Sequence, residues 1–222
     1  MRDVIPPSLF EIIRDRYLAG VSDAEDKFEM SAADEDSLTG ALGQAISTGK
    51  PRFHQAGKEI YAWKISYYKL RGRGPEAPEK YTGADGLFQI EVKQNELIVL
   101  RKGLPFQAKK NWSRKDKKLV SQCKDMQKIS KSGIVIDYTK IGYTACDVQD
   151  VIDADGYKTK VKKDGKLAQL GQTLGEEFLG CSIGQQGLYY DTESKKILGT
   201  DFPEISTTHI VSAIIVHSEQ IE

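Results

Sequence analysis

The sequence lacks the signatures of several common functional sites. Its three cysteines lie far apart with no C-x-x-C pair, so neither a zinc site nor a disulfide framework is predicted, and a reducing compartment is expected. The three histidines are scattered, and we assign none of them to catalysis. No nucleophile elbow G-x-S-x-G, no phosphate-binding G-x-x-x-x-G-K-[ST] and no G-x-G-x-x-G after a strand is present. These absences argue against zinc enzymes, serine hydrolases and nucleotide-binding proteins.

Long hydrophobic runs are also missing. The longest apolar stretch, Ile210 to Val216, is interrupted by Ser212 and is far too short to span a bilayer. The first 17 residues contain prolines and mixed charges where a signal peptide would have an unbroken apolar segment. We therefore expect a cytoplasmic protein without a membrane partner.

Charge is balanced overall but uneven along the chain. The sequence of 222 residues has 32 Lys and Arg against 32 Asp and Glu, which argues against a protein that simply coats nucleic acid. Between Arg101 and Lys131, however, eleven basic residues face two aspartates. Such a run is more often a solvated face than a binding site. The hydrophobic content of 39% suffices for a sizeable core, and a single domain over residues 1–222 is preferred over two because no linker or repeat is visible.

Hydrophobic periodicity predicts alternating helices and strands, and hence an α/β fold. The predicted elements, in chain order, are a helix from Ser8 to about Ala19, a helix with Leu38, Leu42 and Ile46 on one face, a strand Ile60 to Leu70, two strands between Gly86 and Lys110, a helix from a Ser113 cap to Ser132-Gly133, a strand Ile134 to Tyr138, helical spacing over 167–179, a hairpin arm over 187–198 and a late strand over 208–217 that could join the sheet.

The stretch from Thr82 to Lys110 carries the strongest functional signal. Asp85 stands before one predicted strand, and Gln107-Ala108-Lys109 ends the next. Side chains of a strand alternate between its two faces, so Gln107 and Lys109 point the same way. If the two strands pair, Asp85 falls beside them. Such an oxygen-rich pocket with an ammonium group at its rim suits a hard divalent cation and an attacking water.

This arrangement resembles the PD-(D/E)XK nuclease superfamily, in the variant with Gln at the (D/E) position found in Mrr-like restriction endonucleases and bacterial antiviral effector nucleases. The residues that carry the resemblance are Gly83-Ala84-Asp85-Gly86 and Phe106-Gln107-Ala108-Lys109. It covers roughly residues 30–145. It implies a restriction-endonuclease-like mixed central β-sheet flanked by helices, with residues from about 146 to 222 as an elaborated C-terminal part completing the fold.

The resemblance also implies roles for individual residues. Asp85 would be the central Mg²⁺ ligand, with Mn²⁺ as an alternative ion, and Gln107 would offer its amide oxygen. Glu35, in the first turn of a predicted helix, would be a second ligand or a water-mediated anchor, and Asp34 the helix cap. From composition alone, these acidic residues are more simply explained as helix-start charges. Lys109 would orient the attacking water. Because Gln replaces a carboxylate, weaker metal binding is expected, and the number of metal ions stays open.

The expected function is a Mg²⁺-dependent endonuclease that cuts double-stranded DNA within an antiviral defence or restriction system. The residues expected to contact the DNA backbone are Lys110, Arg114, Lys115, Lys118, Arg71 and Arg73. The alternatives are a non-catalytic nucleic-acid-binding or scaffold subunit that keeps the fold, and a nuclease held inactive by a regulatory protein partner. The sequence leaves DNA against RNA, and the oligomeric state, undecided.

Overall fold

Helices and strands alternate along most of the chain. The computed structural model describes residues 1, 3–70, 83–200 and 208–218. Their elements are α1 Pro7–Asp26, α2 Phe28–Ser31, α3 Glu35–Ile46, β1 Arg52–Ala56, β2 Glu59–Lys69, β3 Gly86–Gln94, β4 Leu97–Lys110, α4 Lys117–Ile129, β5 Ile134–Thr139, β6 Gly142–Asp147, α5 Val148–Asp153, α6 Lys158–Lys163, β7 Ala168–Gln169, α7 Leu170–Gln172, a π-helix Thr173–Phe178, β8 Gln185–Gln186, β9 Tyr189–Asp191, β10 Lys196–Leu198 and β11 His209–Ser218.

The described residues form a mixed sheet of nine strands in the order β1-β2-β11-β3-β4-β5-β6-β7, with β8 paired to β4. Strand β11 is antiparallel to β2 and parallel to β3, and β5 is parallel to β4. Strands β9 and β10 make a separate hairpin. The predicted α/β class, with a mixed central sheet flanked by helices, is therefore confirmed.

Helices cover both faces of this sheet. Leu38, Leu42 and Ile46 of α3 are buried with α1 against one face, together with Phe106 and Ala108 of β4. On the other face, α4 buries its residues Leu119, Cys123 and Met126 in a cluster with Val135 of β5. Since neighbouring residues of β4 point to opposite faces, Gln107 and Lys109 lie on the α4 side of the sheet.

The β3–β4 hairpin places Asp85 beside Gln107. Its turn residues Asn95 and Glu96 have φ values of 47° and 66°, the left-handed backbone that a two-residue hairpin turn requires. The register shifts by one residue between Val92 and Lys93 and then continues to the pair Gly86 and Phe106, so the next positions are Asp85 and Gln107. The predicted pairing of the two strands is confirmed.

Several element boundaries differ from the predictions. Helix α1 continues to Asp26 because its apolar stripe extends past Ala19 through the buried Val21 and Ala24. The cap of α4 is Asp116, whose Oδ1 accepts from the Leu119 backbone N at 2.8 Å, so the Ser113 cap was wrong. The late strand was predicted correctly, but it lies in the interior of the sheet. No helix in the described part of the chain is long and apolar enough to cross a membrane.

Candidate active site at one end of the sheet

A pocket of about 140 Å³ lies where the N-terminus of α3 meets the starts of β3 and β11. Six of the described residues line it: Glu35, Asp36, Thr39, Asp85, Thr208 and His209. Because β3 and β11 are parallel and β4 is antiparallel to them, the start of β3 and the end of β4 lie at the same edge. Asp85 and Gln107 therefore meet at this end of the sheet, and Lys109 lies two residues further along β4. Asp85 and Glu35 line the pocket, whereas Gln107 and Lys109 are not among the described residues that line it.

Asp85 is held in place from several directions. Its Oδ2 accepts from the Gln107 Nε2 at 2.5 Å and from the Ala108 backbone N at 2.7 Å. Its backbone O accepts from the backbone N of Thr208 at 3.0 Å and of His209 at 3.2 Å. These bonds couple the carboxylate to both neighbouring strands, so its orientation is set before any ligand arrives.

Gln107 presents a buried oxygen without a hydrogen-bond donor. The nitrogen of its amide must face Asp85, because an ionised carboxylate only accepts. That nitrogen also reaches the Ala108 backbone O at 3.3 Å. The opposite atom, Oε1, is buried and has no hydrogen-bond partner among the described residues. An unsatisfied buried acceptor costs about 1–3 kcal/mol, so this oxygen is suited to a ligand that the polypeptide does not supply.

Glu35 and Lys109 approach the same region from α3 and β4. Asp34 caps α3 by accepting from the Ser37 backbone N at 2.7 Å, as predicted. Glu35 Oε1 then accepts from the Lys110 backbone N at 3.1 Å, and its Oε2 lies 4.0 Å from Lys109 Nζ. The Lys109 side chain is 14% exposed and that of Glu35 is 40% exposed. An ammonium group in a largely enclosed position thus faces a carboxylate that opens toward solvent.

The predicted DNA-contacting residues do not form one group. Arg114 and Lys118 are exposed. Lys110 Nζ donates to the Ala32 backbone O, which directs it toward α2 and α3. Lys115 Nζ donates to Asp155 and precedes α4 instead of lying on it. Arg71 and Arg73 lie outside the described residues.

His209 and Asp36 were not predicted as site residues, yet both line the pocket. His209 is buried, with Nε2 3.1 Å from Asp36 Oδ1 and Nδ1 2.8 Å from the Tyr67 hydroxyl. Burial raises the pKa of Asp36, but Lys69, 2.5 Å away, and His209 outweigh burial and lower the pKa below its ordinary value. Asp36 and His209 are 173 positions apart, so no local sequence pattern could have paired them.

The described part of the site has oxygen ligands but no cluster of acidic, histidine and cysteine ligands. In the described ranges, no group of three or more His, Cys, Asp or Glu side chains is placed so that it could hold a metal ion. Asp85 and Glu35 bring carboxylates to the pocket, and the Gln107 amide group lies beside Asp85. No protein-family model matches the chain, and no curated protein and no solved structure matches it.

Proposed function

We propose that the chain is a Mg²⁺-dependent endonuclease of the PD-(D/E)XK type that hydrolyses phosphodiester bonds of double-stranded DNA. The observation that carries this proposal is that a carboxylate and an amide group meet at one end of the sheet, with an ammonium group two residues further along the same strand. Asp85 and Gln107 are hydrogen-bonded at 2.5 Å. Lys109 stands two residues further along the same face of β4 and 4.0 Å from Glu35.

The order of helices and strands supports the same proposal. Helix α3, strand β3 preceded by Asp85, strand β4 ending in Gln107-Ala108-Lys109, helix α4 and strand β5 follow one another. This is the core order of the resembled fold, including the antiparallel β3–β4 hairpin and the parallel β4–β5 pair. Agreement between several elements and the short motif is stronger support than the motif alone.

The donor set fits a hard divalent cation. Mg²⁺ prefers oxygen ligands and keeps several of its waters, so few protein ligands suffice. The ion would be held by Asp85, Glu35 and the buried Oε1 of Gln107, to which no described residue donates. When bound, the ion lowers the pKa of a coordinated water and neutralises charge that develops on the scissile phosphate.

The side chains of the site then have separable roles. Gln107 Nε2 and the Ala108 backbone N fix Asp85, while Gln107 Oε1 adds a neutral ligand in place of a carboxylate. Lys109 orients the attacking water and offsets charge on the phosphate. Glu35, whose Oε2 lies 4.0 Å from Lys109 Nζ, would be the second ligand of the ion or anchor it through water. Because Gln107 carries no charge, metal affinity is expected to be weak without the phosphate of the substrate.

A nuclease of this kind fits an antiviral defence or restriction system. Within such a system its cutting would be controlled by a regulatory protein partner, since a nuclease with little sequence preference is harmful to its host. We therefore propose DNA as substrate and a regulatory protein as the second partner.

Plasmid cleavage tests the enzymatic assignment. The purified chain is expected to nick supercoiled plasmid with Mg²⁺ or Mn²⁺ and not with EDTA or Ca²⁺. Asp85→Ala and Lys109→Ala should each lower the rate by at least about 100-fold, whereas Lys50→Ala, an exposed lysine beside β1, should leave it unchanged.

Equal nicking by all four proteins would indicate a contaminating nuclease and remove the assignment. Binding of DNA without any cleavage by the unmodified chain would favour a non-catalytic nucleic-acid-binding subunit instead.

A further inference from the structure

A basic surface borders the site. We define it as residues 114–118, between β4 and α4, together with residues 155–166 around α6. The two segments contain nine Lys and Arg against three Asp, although the whole chain is neutral. Seven of the basic residues are exposed, namely Arg114, Lys117, Lys118, Lys160, Lys162, Lys163 and Lys166. The fold thus places the basic residues of segment 155–166, which lies outside the region of resemblance at 30–145, next to the basic residues of segment 114–118, which lies inside it.

The two segments of the basic surface are held together by backbone contacts. The Gly156 backbone O accepts from the Asp116 backbone N at 3.1 Å and from Trp112 Nε1 at 3.1 Å. Gly156 has a φ of +74°, and a Cβ atom there would lie 2.5 Å from the Asp116 backbone O. Lys115 and Asp155 add an ion pair across the same junction. The segments therefore keep a fixed relation to each other.

A buried aspartate attaches this surface to the strand that carries Lys109. In the parallel β4–β5 pair, Lys109 stands opposite Asp137, whose side chain is 1% exposed. Asp137 Oδ1 accepts from the Trp112 backbone N at 2.8 Å, and Oδ2 accepts from Lys158 Nζ. The basic surface therefore begins one strand away from Lys109, at the same end of the sheet.

We propose that the basic surface binds the sugar-phosphate backbone of double-stranded DNA and holds it against the site. The ligand class rests on the proposed function. Lysines dominate the surface, and an ammonium group contacts phosphate as a point charge without reading bases. Single-strand binding relies on aromatic rings on which bases stack. The centroid of the exposed Tyr157 ring lies 5.1 Å from the Lys115 ammonium group and 5.0 Å from that of Lys160. Because these two groups lie against the ring, it is not open for a base to stack on, and duplex DNA fits the surface better than a single strand.

Charge reversal of the C-terminal half of this surface tests the proposal. The double variant Lys160→Glu with Lys163→Glu is compared with Lys50→Glu with Lys58→Glu, which makes the same charge change at exposed lysines flanking β1. Binding to a fluorescent duplex is measured by anisotropy in EDTA over a range of salt concentrations. The first variant should raise Kd at least about tenfold near 0.1 M salt and reduce the slope of log K against log salt by about two. Thermal unfolding verifies that both variants are folded.

Equal Kd and salt slope for the two variants would overturn the proposal, as would failure of the unmodified chain to bind duplex DNA at low salt. Tighter binding to a single strand of the same length would overturn the assignment to a duplex. Binding is measured in EDTA and cleavage in Mg²⁺, so the two results are independent. A chain that binds the duplex as expected but does not cut plasmid in Mg²⁺ would refute the proposed function and leave this inference standing.

Discussion

Replacing Gln107 by Glu probes the centre of the site most directly. In the unmodified chain Gln107 Nε2 donates to Asp85 Oδ2 at 2.5 Å, and Gln107 is 2% exposed. Gln107→Glu keeps the size of the side chain but removes this donor and places a second carboxylate against the first. Loss of a hydrogen bond to a charged acceptor is worth about 1.5–3 kcal/mol. Like charges this close also repel, so one of the two carboxyls takes a proton at a raised pKa.

Without metal at pH 7, we expect Gln107→Glu to lower the free energy of unfolding by about 3 kcal/mol, or Tm by roughly 6–12 °C for a chain of this size. Gln94→Glu is the matched control, because it makes the same substitution at an exposed position at the other end of β3. Differential scanning calorimetry in EDTA measures the difference. Unfolding of Gln107→Glu at the temperature of the control would refute the contact between Gln107 and Asp85.

The deficit of Gln107→Glu should depend on pH. The folded-state pKa of the carboxyl pair is raised, so the stability contributed by its shared proton is present at low pH and is lost as the pH rises through that pKa. The variant should therefore be closest to the unmodified chain near pH 5 and furthest from it near pH 8. A deficit that is constant over this range would show that no carboxyl pair forms.

Mg²⁺ should raise the free energy of unfolding of Gln107→Glu. A carboxylate is a stronger ligand than an amide oxygen, so Mg²⁺ at about 100 times its Kd would return about 2.7 kcal/mol to the variant, and less to the unmodified chain at the same concentration. Equal Mg²⁺ shifts in Tm for Gln107→Glu and Gln94→Glu would refute the metal pocket itself.

Two further predictions concern the surroundings of the site. Asp36, whose pKa is lowered because two basic neighbours outweigh burial, contributes stability above its ordinary pKa that is lost as the pH falls through the lowered value. Asp36→Asn should therefore shift the urea midpoint downward at pH 7 and much less at about pH 3, and an equal shift at both would contradict this. Gly156→Ala, with a clash against Asp116, should lower the free energy of unfolding by more than about 1 kcal/mol. In Gly165→Ala, with similar φ but nothing within 4 Å, the loss should be smaller, and equal losses would rule out the clash.

Local features of the site follow from the sequence. The alternation of side chains along β4 puts Gln107 and Lys109 on one face whatever the rest of the chain does. Asp34 caps α3 because a short carboxylate side chain satisfies a backbone N at a helix start, and Glu35 follows it in the first turn. The polar turn at Asn95 and Glu96, with the register shift between Val92 and Lys93, brings Gln107 back toward Asp85. Each of these depends on residues close together in the chain.

The rest of the pocket was decided by contacts between distant segments. The apolar residues of β11 predict a buried strand, but the sequence does not show that this strand lies between β2 and β3. That position brings His209 to Asp36 and lets the Thr208 and His209 backbones hold Asp85.

The basic segment 155–166 likewise shows its charge in sequence but not its place beside residues 114–118. Local propensity and periodicity are set by neighbouring residues, whereas the pairing of remote strands and loops is chosen by total burial and hydrogen bonding. The sequence by itself therefore determined the three residues at the ends of β3 and β4, and only the tertiary structure decided which other side chains and which charged surface surround them.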